Sequence, residues 1–358
     1  MKKSLFIVLS IVLIVFVSCN PDSATSIPFD KLHAQPSTDY RIYNYVGDFE
    51  NGGHTYLVLG TNLGIGLYDI TVANPSLNTV IDPIARPIML VESNGKQYVI
   101  YYEQDRGVVN PPLKAADLES LISTSEDLIY DAKLTVGGKE IVASYVYIQT
   151  NQNSGNTEYS YTLQEKEDTS KNPRTINFYN FSTCTAEVNE TDKTIEIKID
   201  ATPCSVPSSP ECAPYIVGDG YYAMLDEDQS YRTVYDMKND PIANDKDKEI
   251  IAFYDEYAGG VLVDNSGSIF VNGQDKGDYG SFPNDNRRVA YSTFIDGALF
   301  LGYKYGPEVI SINGDGSTTV HDTSDINNET IVGIKYFNGS YFVVTEESGV
   351  IKTDLKII

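Results

Sequence analysis

Few side chains in this sequence are spaced for chemistry. The three histidines, His33, His54 and His321, are scattered along the chain, so a general base or a His-ligated metal would have to be assembled from distant segments. Asn265-Ser266-Gly267-Ser268 is the nearest approach to a serine-nucleophile motif, but it lies between two strand-like runs and lacks the strand-to-helix turn that a nucleophile elbow requires. The acidic runs Asp226–Asp228 and Asp240–Glu249 lack the alternate oxygen ligands, central glycine and terminal glutamate of an EF-hand loop, and read as solvated turns. No catalytic residue, metal site or cofactor is therefore expected.

Stepping outward from these residues, the first segment is the one whose composition specifies an event. Lys2 and Lys3 form a basic start, Ser4–Val17 is almost continuously apolar, and Ser18-Cys19 follows at once. That is the layout of a signal peptide, too short for a spanning helix of roughly 20 residues. Phe16-Val17-Ser18-Cys19 resembles the lipobox of bacterial lipoproteins, with Phe16 where leucine is usual. The resemblance implies that the Cys19 thiol is acylated and becomes the N-terminus of a protein held on the extracytoplasmic side of the cell envelope. Residues 1–18 are then the signal, and 19–39, polar and aperiodic, a flexible lipidated tether with a span of roughly 25 Å. Residues 40–358 form the folded domain.

An exported domain can keep disulfides. Cys204 and Cys212 flank the proline-rich loop 205–211 and are expected to bond, leaving Cys184 free in a Tyr/Phe-rich run. Zinc is a poor alternative, since no histidine accompanies the cysteines at ligand spacing. The 50 acidic against 26 basic residues give a net charge of −24, which repels phosphate backbones and anionic lipid alike. Nucleic acid is excluded as a partner, and membrane attachment must come through the N-terminal lipid.

From Tyr40 onward, short β-branched and aromatic runs alternate with Gly, Asn and Asp turns, the pattern of an all-β chain. Helical spacing is confined to Leu113–Ile122. A turn-then-strand unit recurs at Gly52-Gly53, Asn94-Gly95, Gly137-Gly138, Asp219-Gly220, Gly259-Gly260, Asp296-Gly297 and Asn338-Gly339. Their second glycines are about 42, 43, 82, 40, 37 and 42 residues apart, the period of a four-stranded propeller blade. We therefore expect a β-propeller of seven blades, with insertions at 150–174 and around Cys204–Cys212 filling the double interval, or of eight blades if that interval hides one more. Tyr40–Val46 is expected to close the ring by pairing with the C-terminal strands Ile331–Phe337, Tyr341–Thr345 and Val350–Leu355.

Phe342–Thr353 is similar to the inner hairpin of sialidase-like and sortilin-like propellers, and Leu59–Ile70 to a repeat of bacterial surface propellers. The resemblance implies a fold and no reaction. Arg86, in Ala85-Arg86-Pro87-Ile88, resembles the N-terminal arginine motif of sialidases, but the chain has no tryptophan and Asp264–Gly267 is misspaced for an Asp box. The 27 tyrosines and 13 phenylalanines suit recognition surfaces. The expected function is a non-enzymatic binding or scaffold module for a protein or glycan. A propeller hydrolase or lyase with its site in the central channel is the alternative, to be distinguished by what lines that channel.

Overall fold

The repeated turns adopt the backbone their residues demand. Both central residues have positive φ at Gly52-Gly53 (60° and 84°), Asn94-Gly95 (52° and 75°), Asp296-Gly297 (48° and 82°) and Asn338-Gly339 (49° and 80°). That geometry matches the twist of the flanking strands and so fixes the register of each hairpin. The computed structural model describes residues 39–353 and Leu355, apart from 82–84, 104–110, 124–128, 154–155, 168, 171–173, 210–212, 226–231, 246–248, 257–259, 280–288, 305–308, 322–328 and 354. The signal segment, Cys19, the tether as far as 38, and Cys212 lie outside the described residues, which all belong to one compact unit.

The chain runs through seven antiparallel meanders. The first is β1 (Ile42–Asn51), β2 (His54–Thr61), β3 (Gly64–Asp69) and β4 (Leu77–Ile81), side by side in that order. The second is β5 (Ala85–Ser93), β6 (Lys96–Glu103), β7 (Leu113–Asp117) and β8 (Ile129–Val136), with helix α1 (Leu118–Ser123) after β7 and the short β9 (Lys139–Ile141) on β8. The third contains β10 (Ala143–Asn153), β11 (Asn156–Glu165) and β12 (Arg174–Phe181). The hairpin β13 (Cys184–Asn189) and β14 (Thr194–Ile199) interrupts it before β15 (Cys204–Ser208) completes it. That hairpin joins the second meander through a parallel β14–β8 pairing, and Ser93 Oγ donates to Ala186 O (2.6 Å), drawing β13 against β5.

The fourth meander is β16 (Tyr215–Gly218), β17 (Tyr221–Leu225), β18 (Arg232–Asp236) and β19 (Pro241–Asp245). The fifth is β20 (Ile250–Tyr254), β21 (Val261–Asp264), β22 (Ser268–Val271) and β23 (Gln274–Asp278). The sixth is β24 (Val289–Ile295), β25 (Ala298–Tyr303), β26 (Val309–Ile312) and β27 (Thr318–His321). The seventh has three strands, β28 (Ile331–Phe337), β29 (Ser340–Thr345) and β30 (Gly349–Thr353). Successive first strands pack face to face and bury aliphatic and aromatic clusters between meanders, such as Leu57, Leu59, Ile334 and Val343 between the first and seventh. This is the all-β propeller arrangement expected from the repeats.

Two expectations are corrected. Gly137-Gly138, also left-handed at both residues (57° and 78°), joins β8 to β9 at the outer side of the second meander and is not a counterpart of the other turns. The equivalent hairpin in the third meander is β10–β11, paired from Ala143↔Glu165 to Asn153↔Asn156. Much of 150–174 is therefore strand rather than inserted loop. Second, Tyr40–Val46 does not complete the terminal sheet: β1 continues to Asn51 and pairs with β2 in register from Ile42↔Thr61 to Asn51↔His54. Among the described residues its backbone link to the last meander is Ile42 N–H to Glu346 O (3.0 Å), beside the Arg41–Glu347 ion pair (3.2 Å).

Cys204 carries a free thiol, and Cys212, its expected partner, lies outside the described residues. Cys204 faces inward from β15 among Ile176, Phe178, Val206 and Tyr222, and its Sγ donates to Asn239 Oδ1 (3.2 Å). Burial and the nearby Asp236 carboxylate push that thiol up to about 11. Cys184 is also free, as expected. Within Leu113–Ile122, only the second half is helical; Asp117 Oδ1 accepts from the Glu119 and Ser120 amides and caps α1 where the strand ends.

His321 ends β27 buried against Phe300 (centroids 5.6 Å), its Nε2 2.8 Å from Ser311 Oγ, and burial holds its pKa below the ordinary value. Below about pH 6.5 the unfolded chain takes up a proton that the folded chain refuses. The stability contributed by the neutral ring is thus full above that pH and is lost as pH falls through the folded-state pKa. Chemical denaturation of wild type and His321→Gln should show a stability difference that shrinks over this window; a pH-independent difference would contradict it.

Candidate functional site

The first strand of every meander contributes to one cavity of about 480 Å³ at the end of the axis where these strands begin. Tyr43 and Tyr45 come from β1, Arg86, Pro87 and Ile88 from β5, and Tyr145 and Tyr147 from β10; Ile216 on β16, Ile251 and Tyr254 on β20, Ala290 and Tyr291 on β24, and Val332 on β28 complete the ring. At the rim, Tyr43 and Tyr145 are 44% and 53% exposed, with the exposed Val142 just ahead of β10.

The floor is a buried polar plug. Strands β10 and β24, from the third and sixth meanders, meet across the axis and pair in parallel, Thr150 with Thr293, Asn151 with Phe294 and Gln152 with Ile295. Thr150 Oγ1 donates to Thr293 Oγ1 (2.6 Å) and is 2.8 Å from the Tyr291 hydroxyl. Tyr147 is 2.8 Å from Ser292 Oγ and donates to Gln149 Oε1 (3.0 Å). Gln152 donates to Thr293 Oγ1 (3.0 Å) and Ile334 O (2.9 Å) and accepts from Tyr336 N–H (2.8 Å). Alongside, Lys335 reaches Asp48 (2.9 Å) and Thr157 (2.6 Å), and Asp48 accepts from the Tyr45 (3.0 Å) and Tyr159 (2.8 Å) hydroxyls. Beyond the plug lies a second cavity of about 430 Å³, lined by Asn151, Asn153, Asp219, Glu256 and others. No described residue lines both cavities.

Burial raises the pKa of Tyr45, Tyr147 and Tyr291, and lifts Tyr254 up to about 12. These hydroxyls stay protonated and serve as hydrogen-bond groups rather than nucleophiles. Arg86 is the one ionised side chain among the described lining residues, which include no Asp, Glu, His or Cys. Its guanidinium lies 5.3 Å from the centroid of the Tyr43 ring. The pairing is held in place: Asn44 Nδ2 donates to Pro87 O (2.8 Å), and a Cβ on Gly60 would sit 2.0 Å from Asn44 Oδ1 and 2.9 Å from Pro87 Cδ. Only glycine lets β1 and β5 close up beneath Arg86.

Among the described residues no group of three or more His, Cys, Asp and Glu is placed to hold a metal ion. His54 is exposed and bonds Asp69 (2.7 Å) and Thr71, remote in sequence from the buried His321, while His33 lies outside the described residues. Arg41 and Arg174 pair with Glu347 and Glu167, and Arg232 stacks on Tyr215, so they do not join Arg86; Arg106, Arg287 and Arg288 are not among the described residues. Of the tyrosine pairs, Tyr102 lines the cavity while Tyr101 is buried behind it. The sequence reading passed over Tyr145, Tyr147, Tyr254 and Tyr291. Their signal was the alternation Tyr145-Val146-Tyr147, which points both rings to one face of a strand.

The chain is a β-propeller protein, and solved β-propellers are similar to it in fold. Sqt1 of Saccharomyces cerevisiae is 9% identical, with 90% of this chain and 97% of that one covered and a TM-score of 0.47. YCF48 bound to D1 peptide is 9% identical over 90% and 98% of the two chains, with a TM-score of 0.45. BamB from Moraxella catarrhalis is 10% identical over 87% and 83%, with a TM-score of 0.34. These likenesses concern the fold alone. No family model and no curated protein matches the chain.

Proposed function

We propose that this protein is a lipoprotein tethered through Cys19 to the extracytoplasmic side of the cell envelope, and that its propeller is a non-enzymatic module binding a protein or glycan in the tyrosine-rimmed cavity. The observation that supports binding is the cavity itself: its floor is closed by satisfied polar groups and its lining offers tyrosine hydroxyls, aliphatic surface and one arginine. Exposed Tyr and Arg around an apolar recess are the side chains that dominate recognition energetics. The alternative of a channel hydrolase finds no acid or base among the described residues lining this cavity; the carboxylates of Glu158, Asp219 and Glu256 line the second cavity instead.

Two experiments test the two halves. Cys19→Ala should move the protein entirely from the detergent phase to the aqueous phase on Triton X-114 partitioning; retention in detergent would refute the anchor. A photo-crosslinking residue at the exposed lining position Tyr145 should give a discrete adduct in intact envelopes, and Ala290→Trp, which fills the cavity from an exposed lining position, should remove it without lowering the melting temperature. An adduct unaffected by Ala290→Trp would place binding elsewhere.

A further inference from the structure

Arg86 is the feature of the cavity that plugging and packing leave unexplained. In a chain with 50 acidic residues, Arg41 and Arg174 each have a carboxylate partner. Arg86 has no ion pair among the described residues, is exposed, and rests on the face of Tyr43. Stacking occupies the flat face of a guanidinium and leaves its in-plane N–H donors for a planar anion, which they take in a two-point geometry. The local backbone is shaped to hold this pair, through Gly60 and the Asn44–Pro87 hydrogen bond. The lining pairs this one charge with aliphatic surface: Pro87 and Ile88 follow Arg86 on its own strand, and Ile216, Ile251 and Val332 come from other meanders of the ring. That surface suits a hydrocarbon side chain.

We infer that the cavity takes a peptide in which an apolar side chain lies next to a carboxylate, the first entering between the aliphatic walls and the second held by Arg86. This assignment rests on the binding function proposed above and adds the chemistry of the occupant. Tyr43 and Tyr145 flank the entrance and cover the peptide backbone, and the neutral tyrosine hydroxyls supply hydrogen bonds without competing for the carboxylate's partner.

The test is selection of random dodecapeptides displayed on phage against the immobilised mature protein, its Arg86→Gln variant and its Ala290→Trp variant. Wild type should enrich peptides with Asp, Glu or a free C-terminus within a few positions of Leu, Ile or Phe. Arg86→Gln should keep the apolar preference and lose the acidic one, with a selected peptide bound about tenfold or more weakly by fluorescence polarisation, and Arg86→Lys should recover only part of the loss. If wild type and Arg86→Gln enrich the same apolar peptides, the role of Arg86 is wrong while the cavity remains the binding site. If Ala290→Trp also selects the wild-type peptides, the cavity itself is wrong. If no peptide is enriched, the peptide assignment falls, and binding of uronate-bearing glycans on an array would identify the occupant as an acidic sugar.

Discussion

Lys335→Met is expected to destabilise the protein by about 3–5 kcal/mol, the cost of stranding one half of a buried ion pair. Lys335 and Asp48 are 6% and 10% exposed and 2.9 Å apart. They tie β28 to β1, and Thr157 and Tyr159 bring in β11, so one network joins the seventh, first and third meanders. Methionine keeps the packing of the aliphatic stem but leaves Asp48 Oδ2 without its cation, with both tyrosines bonded to Oδ1. Adding Asp48→Asn should restore most of the loss, since a neutral amide still accepts from Tyr45 and Tyr159. Urea denaturation measures both; a cost below about 1 kcal/mol for the single variant would mean that the pair behaves as a solvated surface bridge.

Gln152→Leu should cost about 2–4 kcal/mol. The residue is buried, and its amide serves the Ile334 carbonyl and the Tyr336 amide, neither of which water can reach without opening the plug. A buried donor or acceptor left without a partner costs roughly 1–3 kcal/mol, and leucine orphans one of each. The accompanying sign is local: the Tyr336 amide should lose hydrogen-exchange protection ahead of the rest of β28. Unchanged protection there, with stability preserved, would show that the plug relaxes to satisfy these groups by another route.

The parts of the fold that were legible in the sequence are those where local geometry dictates the residue. Asn94-Gly95, Asp296-Gly297 and Asn338-Gly339 mark hairpins because few residues tolerate two successive left-handed positions, and Gly267 and Gly349 each supply the single left-handed position of the next turn. The failure came in the third meander. Gln149, Thr150, Gln152 and Thr162 are buried, so the strands that sit deepest on the axis look polar and loop-like to any reading based on hydrophobic alternation. Their burial depends on Ser292 and Thr293, more than 140 positions away, and no local pattern announces that pairing. Gly137-Gly138 then misled because a turn of the right chemistry stood at nearly the right interval. Tyr40–Val46 was misjudged because its strand was cut short at Val46, whereas pairing runs on to the turn at Gly52.

The candidate site was legible only in fragments. Arg86 and the tyrosine excess stood out, but the cavity takes its lining from strands of all seven meanders. A ring of that kind has no spacing in the sequence.

The crossing of β10 and β24 bears on what the proposed binder would hold. An annulus can be threaded, and a polymer can pass through it or slide along it. Here the third and sixth meanders pair at the centre, and no described residue lines both the cavity on one side and the cavity on the other. Under the proposed binding function, that crossing favours a grip on a terminus or a loop tip over a strand drawn through.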